Sequence, residues 1–416
     1  MKKIKNLILS NKLLLENFSF LSVLQIFNLM LPFMSYPYLI KLLGVEIYGK
    51  IIFAQAILSY FVILIGFGFG TSGILDVSVN RNNRNKLSEI VSSILILKFL
   101  LFIFSLIFIV PLLFLFEHAS NEKILYIITL WVCLNEVLFP IFYFQGIEKM
   151  KYFSIISLIS RLLSVVLIFI FIKSKNDYLL VPLFYLLGTL LSGISALYIV
   201  FYKHQLNFYI PNLITLKKYF NNSIPFFITS LSANIYVTSN KVLIGLFLDI
   251  KDVSYYDIGE KILNVLKIPI GILSQTVLPK ISNEKSLFFV KKILKYSFFF
   301  HVLLYIALFV FSNYIIILLG GKQMLPANWV VKILGLTLPI VAISNVFGTL
   351  TLVPFGHNRI FTKIIMFSAF IFLAQFAVVW FFNSISIYSL CVITVLTELF
   401  VSCLTFYFSK KNNLWI

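Results

Sequence analysis

The sequence predicts an all-α membrane protein with twelve transmembrane helices arranged as two halves. Hydrophobic residues make up 60% of the chain and charged residues 12%, which is too little charge for a soluble surface of this size. Apolar stretches of the length that crosses a bilayer as helix, about 20 residues, recur along almost the whole chain. They are apolar on nearly every side and do not alternate as barrel strands do, so helix is the predicted backbone.

Twelve apolar stretches define the predicted spans. Their bounds are 13–40, 48–72, 87–115, 124–144, 152–172, 179–201, 223–248, 255–279, 293–319, 329–353, 360–382 and 387–408. The longest connection, near the midpoint, mixes apolar and basic residues as an amphipathic helix on a membrane surface does. We therefore expect an N-terminal six-helix lobe at 1–204, a cytoplasmic amphipathic linker at 205–222 and a C-terminal six-helix lobe at 223–416.

The two halves show weak self-similarity. The stretch 39–43 resembles 243–247, and Gly146 and Gly356 lie in matching loops after the fourth and tenth spans. Each pair is six spans apart, and an even number of spans keeps the same orientation in the membrane. The sequence thus predicts a parallel repeat, which is one known plan of transporters.

The basic residues predict the orientation of the spans. Of the 34 Lys and Arg residues, 21 fall on the side of the N-terminus, 8 on the opposite side and 5 well inside spans. Because basic residues favour cytoplasmic loops, we expect both termini in the cytoplasm. The net charge of +19 then reflects this topology and attraction to anionic headgroups, rather than nucleic-acid binding.

The sequence offers no pattern for catalysis or for a metal. Three cysteines lie singly in apolar helices, and four histidines are scattered without ligand spacing. No outward loop is long enough for a catalytic ectodomain, and no inward loop for a nucleotide-binding fold. The run Gly66-x-Gly68-x-Gly70 follows a membrane helix rather than a strand, so close helix packing is the better interpretation. We expect a transporter with no catalytic residues, metal or cofactor.

Ionised side chains inside the predicted spans are the main functional signal. Each costs at least about 2.5–3.5 kcal/mol at the bilayer centre, so such residues normally face a bundle interior or water. The cations are Lys98, Arg161, Lys241, Lys261 and Lys267, and the acids are Glu136, Asp257, Glu260 and Glu398.

Polar residues share helix faces with these charges. In the eighth span, Asp257, Glu260, Lys261, Asn264 and Lys267 follow helical spacing. Similar stripes are Ser230, Asn234, Thr238 and Lys241 in the seventh span, Gln25 and Asn28 in the first, Ser154, Ser157, Arg161 and Ser164 in the fifth, and Thr394, Glu398 and Ser402 in the twelfth. Polar faces from both halves predict a shared hydrated cavity.

Two interpretations of the charges stay open. A slightly positive cavity would suit a substrate with phosphate groups, and the buried carboxylates Asp257, Glu260, Glu398 and Glu136 could couple transport to a proton or sodium ion. Alternatively, the charges form structural pairs, with Asp257 or Glu260 neutralising Lys261 and Glu136 neutralising Arg161. Lys241 and Lys261 could also extend outward to the interface.

The chain also resembles a known family along nearly its whole length. The residues that carry the resemblance are Tyr36-Pro37-Tyr38-Leu39, Leu43-Gly44, Tyr48-Gly49, Phe53-Ala54-Gln55-Ala56, Gly66-Phe67-Gly68, Phe144-Gln145-Gly146 with Lys149, and Pro279. In order and spacing they resemble the O-antigen or polysaccharide flippases of the Wzx type, within the multidrug/oligosaccharidyl-lipid/polysaccharide exporter superfamily.

This resemblance implies a V-shaped transporter whose two lobes alternate between inward-open and outward-open states. The implied substrate is an undecaprenyl-diphosphate-linked oligosaccharide, moved from the cytoplasmic to the periplasmic leaflet of a bacterial inner membrane. The implied partners are that lipid-linked oligosaccharide, membrane lipids and other polysaccharide-assembly proteins.

The residues expected to serve this function follow from their depth and type. We expect Lys267 and Arg161 to hold the diphosphate, with Lys98, Lys241 and Lys261 in the same cationic cavity. Gln25, Asn28, Asn234 and Asn264 would bond sugar hydroxyls. The rivals are a drug/cation antiporter of the same fold, a polysaccharide polymerase or ligase, and an unrelated twelve-span solute transporter.

Overall fold

A computed structural model describes residue 27 and residues 30–31, 33–115 and 117–415. Within these ranges every regular element is a helix. Most of the first predicted span, 13–40, lies outside the described residues, and so do the site candidates Gln25 and Asn28.

The helices of the first part of the chain are interrupted several times within predicted spans. Residues 33–43 form α1. The next helices are α2 (Val45–Gly66), α3 (Phe69–Val79), α4 (Arg84–Leu115), α5 (Glu117–Ser120), α6 (Lys123–Thr129), α7 (Trp131–Leu138), α8 (Ile141–Gly146), α9 (Met150–Phe171) and α10 (Leu180–Tyr198). A 3-10 turn at Lys175–Leu179 precedes α10, and a π-helical turn at Ile199–Lys203 follows it.

The second part of the chain continues with longer helices. These are α11 (Leu213–Phe247), α12 (Ile250–Leu266), α13 (Ile268–Glu284), α14 (Leu287–Gly320), α15 (Ala327–Gly335), α16 (Thr337–Phe347), α17 (Asn358–Phe381) and α18 (Ile387–Lys411). A 3-10 turn at Lys322–Met324 and a π-helical turn at Gly348–Leu352 join some of them.

Ten helical stretches of the described residues are long and apolar enough to cross a membrane. They coincide with ten of the predicted spans, namely the second to the sixth and the eighth to the twelfth. The seventh predicted span lies in α11, whose polar residues keep its hydropathy below that of the ten. The chain is therefore a multi-pass helical membrane protein, while the count of twelve stays a prediction.

Proline and glycine account for several breaks within spans. Phe67 and Gly68 both have positive φ, 39° and 74°, between α2 and α3. A side chain at Gly68 would come within 2.6 Å of the backbone nitrogen of Phe227, so glycine is required there. Pro269, at the start of α13, removes a backbone donor next to the break at Lys267.

The predicted linker is not a separate helix. Residues 205–212 form no helix, whereas 213–222 belong to the continuous helix α11. Leu213, Ile214, Lys217 and Lys218 are exposed at the start of α11, and the amphipathic membrane-surface linker stays a prediction. The segment nevertheless continues directly into the seventh predicted span.

The described residues fall into two compact units. Unit 1 comprises the described part of Met1–Leu43 together with Ala54–Ser230, and unit 2 comprises Gly44–Phe53 and Leu231–Ile416. Residues 44–53, the start of α2, thus pack with unit 2. The predicted lobes at 1–204 and 223–416 stay a prediction.

Each unit has its own apolar core. In unit 1, Phe69, Phe142 and Phe144 are fully buried, and Phe67 stacks between Phe220 and Phe227. In unit 2, α12 packs on α15, where a side chain at Gly259 would come within 3.1 Å of Val330. The helices that pack in these cores also carry the charged residues predicted inside the spans.

Candidate functional site

Five side chains of unit 2 form a closed network around a buried carboxylate, which we call the Asp257 network. It contains Tyr48, Lys241, Asp257, Glu260 and Lys261. The carboxylate of Asp257 is 1% exposed, with Lys241 Nζ 2.9 Å from Oδ1 and Lys261 Nζ 2.5 Å from Oδ2. The Tyr48 hydroxyl donates to Asp257 Oδ2 at 2.9 Å and accepts from Lys261 Nζ at 2.7 Å. Lys241 Nζ also lies 2.7 Å from Glu260 Oε2.

Helical spacing and close packing bring this network together. Asp257 and Lys261 are four residues apart on α12, which suits an ion pair along one helix face. The start of α2 lies very close to α12, because a side chain at Gly49 would come within 2.2 Å of the Ile250 carbonyl oxygen. Ser254 also donates to the Val45 carbonyl at 2.6 Å. Only glycine at position 49 lets Tyr48 reach Asp257.

The charges of the Asp257 network cancel. Two lysines face two carboxylates, so the cluster carries no net charge. Breaking a buried pair by removing one partner typically costs 3–5 kcal/mol, because the other charge is left uncompensated. The network is therefore fit to hold the start of α2, α11 and α12 together. The predicted exit of Lys241 and Lys261 toward the interface is not observed.

A second ion pair lies in unit 1. Lys98 on α4 has a side chain that is 3% exposed, and its Nζ lies 2.6 Å from Glu136 Oε1 on α7. The same Nζ donates to the Glu136 backbone carbonyl at 3.0 Å. The prediction that Glu136 would neutralise Arg161 is wrong, because α4 and α7 pack together and bring Lys98 to this carboxylate.

Arg161, by contrast, forms no ion pair with any carboxylate of the described chain. It lies on α9, its side chain is exposed, and Tyr36 and Tyr185 are the groups that interact with it electrostatically. The ring of Tyr185 stacks on Trp131 with centroids 5.2 Å apart. A guanidinium beside aromatic rings is therefore available at the surface of unit 1.

The serines around Arg161 do not line a hydrated face as predicted. Ser154, Ser157 and Ser164 are buried, and Ser164 donates to the Phe184 carbonyl on α10 at 2.9 Å. A side chain at Gly188 would come within 2.3 Å of Ser164 Oγ. These small residues instead allow α9 and α10 to approach closely, as small residues do between membrane helices.

Lys267 is the second cation of the described spans that has no carboxylate within 4.0 Å. It occupies the break between α12 and α13, and its backbone carbonyl accepts from Ile270 and Gly271 at 3.1 and 3.4 Å. The side chain is half-buried. Glu398 on α18 forms no ion pair among the described residues either, but it interacts electrostatically with Lys267.

The remaining candidates are placed as follows. Asn264 is exposed on the last turns of α12, and Asn234 is half-buried on α11. On the same face of α11 as Asn234, Thr238 donates to the backbone carbonyl of Asn234 at 2.7 Å. Deeper in unit 2, Asn240 donates to Tyr256 and Thr394 at 2.7 and 2.6 Å, a contact that the sequence did not suggest.

The charge pattern thus separates into two classes. Three of the five predicted cations (Lys98, Lys241 and Lys261) pair with three of the four predicted acids (Glu136, Asp257 and Glu260). Within the described part of the chain, Arg161 in unit 1 and Lys267 in unit 2 form no ion pair with a carboxylate. No group of three or more His, Cys, Asp or Glu side chains that could hold a metal ion occurs among the residues described.

Comparison with known sequences gives a consistent result. Residues 14–285 match the family model described as polysaccharide biosynthesis protein. The chain is 25% identical over 419 residues to a protein of Escherichia coli (strain K12) named "Putative O-antigen transporter", covering 98% of this chain and 99% of that one. A protein of the same name from Shigella dysenteriae is 25% identical and covers 86% of this chain and 91% of its own.

Comparison with solved structures identifies the fold. The lipid II flippase MurJ in an inward closed conformation superposes with a TM-score of 0.73 at 16% identity, covering 94% of this chain and 87% of that one. An inward-facing multidrug resistance MATE family transporter of the MOP superfamily gives a TM-score of 0.70 at 14% identity, covering 92% and 98%. The chain belongs to the polysaccharide biosynthesis protein family, and its fold is that of the MOP-superfamily transporters.

Proposed function

We propose that the protein is a flippase for undecaprenyl-diphosphate-linked oligosaccharide repeat units of a surface polysaccharide such as O-antigen. It moves them from the cytoplasmic to the periplasmic leaflet of the bacterial inner membrane by ion-coupled alternating access. The family match, the transporters named among its relatives and the fold shared with a lipid II flippase support this proposal.

The main support for a substrate with a diphosphate group comes from two cations. Arg161 and Lys267 are held within membrane-spanning segments, at a desolvation cost, without a carboxylate that neutralises them in the described chain. A diphosphate supplies the missing negative charge, and a guanidinium or ammonium binds it through charge-assisted hydrogen bonds. We propose that each of these two cations contacts a phosphate group of the substrate during transport.

The glycan requires polar groups that bond hydroxyls. Asn264 is exposed on the last turn of α12, three residues before Lys267, and amides both donate to and accept from hydroxyl groups. We propose that Asn264 and Asn234 contact the sugar, together with Gln25 and Asn28 of the first predicted span. Lys98, Lys241 and Lys261, whose charges are already paired, support the binding residues rather than contact phosphate.

The acids inside the spans differ in whether a lysine pairs with them, and this difference indicates the coupling residue. Glu136, Asp257 and Glu260 each face a lysine at 2.9 Å or less, so their negative charge is compensated. Glu398 forms no ion pair among the described residues, although it interacts electrostatically with Lys267 and Tyr236. We propose that Glu398 takes up the coupling proton or sodium ion, and that binding of this ion alters the charge available to Lys267.

Twelve membrane-spanning helices in two lobes would carry out this transport. Two six-helix lobes, 1–204 and 223–416, would alternate between states with both termini in the cytoplasm, where the excess of basic loops belongs. The helix break at Lys267 places this cation on a local bend next to Pro269, where a membrane helix can change direction.

Deletion of the gene tests the function directly. A strain without the flippase accumulates lipid-linked repeat units on the inner leaflet, whereas a strain without a polymerase accumulates single units that have already crossed. We expect accumulation of inner-leaflet units and loss of the surface polysaccharide, both reversed by the intact gene. Normal surface polysaccharide in the deletion strain would contradict the proposal.

A drug/cation antiporter is the second candidate, because a multidrug resistance transporter shares the fold over 92% of the chain. Cationic drugs favour acidic sites. Of the charged residues predicted inside the spans, those without an ion pair in the described chain are two cations, Arg161 and Lys267, and one acid, Glu398. Increased drug sensitivity of the deletion strain, with unchanged surface polysaccharide, would favour this alternative.

A further inference from the structure

A cavity of about 580 Å³ lies at the basic end of unit 2, and one of its lining residues, Ser402, is four residues beyond Glu398 on α18. Its walls come from the first turns of α14, from α16, from the last third of α18 and from the residues that follow α18. Most of its lining is apolar, including Phe298, Phe347 and Phe406. The transport proposal assigns no role to this cavity.

Two lysines line one end of the cavity, while the hydroxyl residue Ser402 lies among its apolar lining. Lys291 and Lys295 are four residues apart on α14, so they project from the same helix face together with Leu294 and Phe298. Both lysines are exposed. Lys291 Nζ lies 5.4 Å from the centroid of the Trp415 ring, and Lys295 forms no ion pair with a carboxylate of the described chain.

The cavity has a basic end and an apolar part, in the same order as the headgroups and acyl chains of a bilayer leaflet. Lys291, Lys295 and Trp415 lie where α14 begins and α18 has ended, which is the level at which lysine and tryptophan meet the headgroups. Phe298 and Cys403 lie further along the two antiparallel helices, toward the apolar middle of the spans. A ligand that fits must therefore carry negative charge at one end and an apolar chain at the other.

We propose that this cavity is a binding site for an anionic phospholipid of the cytoplasmic leaflet, distinct from the transported substrate. The phosphate binds Lys295 and Lys291, and one acyl chain lies along Phe298, Phe406 and Cys403. Basic pockets between membrane helices on the cytoplasmic side bind anionic headgroups. The choice of leaflet rests on the proposed orientation with both termini in the cytoplasm, whereas the site itself does not depend on the transported substrate.

Charge complementarity selects the occupant among membrane lipids. The cavity mouth holds two lysines, and seven further basic residues belong to the same end of unit 2: Lys280, Lys285, Lys292, Arg359, Lys363, Lys410 and Lys411. A zwitterionic lipid gains nothing from this field. An anionic lipid such as phosphatidylglycerol gains attraction at its phosphate and burial of its chain.

Fluorescence quenching tests this site on the intact protein. The protein is placed in nanodiscs of phosphatidylethanolamine, with a small fraction of either phosphatidylglycerol or phosphatidylethanolamine that carries brominated acyl chains. The contribution of Trp415 is the quenching that disappears in Trp415→Phe. We expect brominated phosphatidylglycerol to quench Trp415 strongly at fractions where the brominated zwitterionic lipid does not. Equal quenching by the two lipids would overturn the proposal.

Two variants separate this cavity from general surface charge. Lys291→Gln/Lys295→Gln is expected to weaken phosphatidylglycerol binding about 30-fold. The control Lys410→Gln/Lys411→Gln removes the same charge from exposed residues at the same end that do not line the cavity, and we expect a change of less than about threefold. An equal loss in both variants would overturn the assignment to the cavity.

Filling the apolar part provides the second test. Cys403→Phe occupies the chain region without adding a second tryptophan at the cavity, and it should abolish the quenching while the lysines stay in place. Because this variant could fold poorly, Cys403→Leu serves alongside it, with an expected partial loss and an elution profile like that of the intact protein. Undecaprenyl phosphate that displaces phosphatidylglycerol at equal concentration would overturn the proposal in favour of the transported lipid.

Discussion

Two successive regions of unit 2 treat their buried lysines in opposite ways. Between Asp257 and Lys261, every charge on α12 meets an opposite charge, and Tyr48 closes the cluster. Less than two turns later, Lys267 lies at a helix break without any carboxylate within 4.0 Å in the described chain. The difference teaches that the depth of a charged residue in the membrane does not by itself show that the residue binds the substrate. A paired charge can serve the fold, whereas an uncompensated one requires a partner that arrives from outside.

The largest expected effect on stability comes from the centre of the Asp257 network. Asp257→Ala leaves Lys241 with Glu260 alone and Lys261 without its carboxylate, at an expected cost of about 3–5 kcal/mol. We expect a large fall in the melting temperature of the detergent-solubilised protein and in its amount in the membrane. Asp252→Ala, on the same helix but outside the network, is the control. A melting temperature like that of the intact protein, with export lost, would make Asp257 a transport residue.

The second comparison concerns the ion pair of unit 1. Glu136→Met leaves the buried Lys98 ammonium without its partner and should destabilise the protein by about 3 kcal/mol, while Lys98→Met leaves the half-buried Glu136 carboxylate and should cost somewhat less. The double variant removes both charges, and we expect it to regain most of that loss, with a coupling energy of 1 kcal/mol or more. Thermal unfolding of the four proteins measures this cycle. Additive losses would show that the pair does not act as a unit.

The third prediction concerns the hydroxyl that completes the network. Tyr48→Phe keeps the ring but removes the donor to Asp257 and the acceptor for Lys261. A hydrogen bond to a charged group is worth about 1.5–3 kcal/mol, so the loss should be smaller than that of Asp257→Ala. Tyr255→Phe, on α12 outside the network, is the matched control. An unchanged melting temperature in Tyr48→Phe would remove Tyr48 from the network.

The smallest expected effect on stability belongs to Glu398. Glu398→Gln disturbs no ion pair of the described chain, so the free energy of unfolding should change by less than about 1 kcal/mol. Export should nevertheless lose its dependence on ion gradients. Translocation of a lipid-linked oligosaccharide in proteoliposomes, with and without proton and sodium gradients, measures this. A gradient dependence like that of the intact protein would exclude Glu398 as the coupling residue.

The sequence predicted the helical class and most spans, because an apolar stretch of fixed length is a local property. It also predicted close packing at the Gly66–Gly70 run, which is confirmed at Gly68 against Phe227, while Gly70 faces open space. The break at Lys267 was foreseeable from Pro269, since proline removes a helical donor.

Ion pairing was only partly predictable. The pair of Asp257 with Lys261 follows from four-residue spacing on one helix, but Lys98 and Glu136 are 38 residues apart and meet because α4 packs on α7. Helix neighbours cannot be read from hydropathy, so Glu136 was paired with the wrong cation. The role of Tyr48 was missed as well, since a tyrosine near a span end gives no signal that it reaches a buried carboxylate.

The most direct test compares export with stability for Arg161 and Lys267, the two predicted cavity cations that form no ion pair among the described residues. Arg161→Ala and Lys267→Ala should each reduce export about 10-fold to 100-fold in a flippase-deletion strain, as loss of about 1.5–3 kcal/mol of charged hydrogen bonding implies. Their melting temperatures should stay within a few degrees of the intact protein, and Lys267→Arg should restore part of the export. Full complementation by both alanine variants would contradict the account.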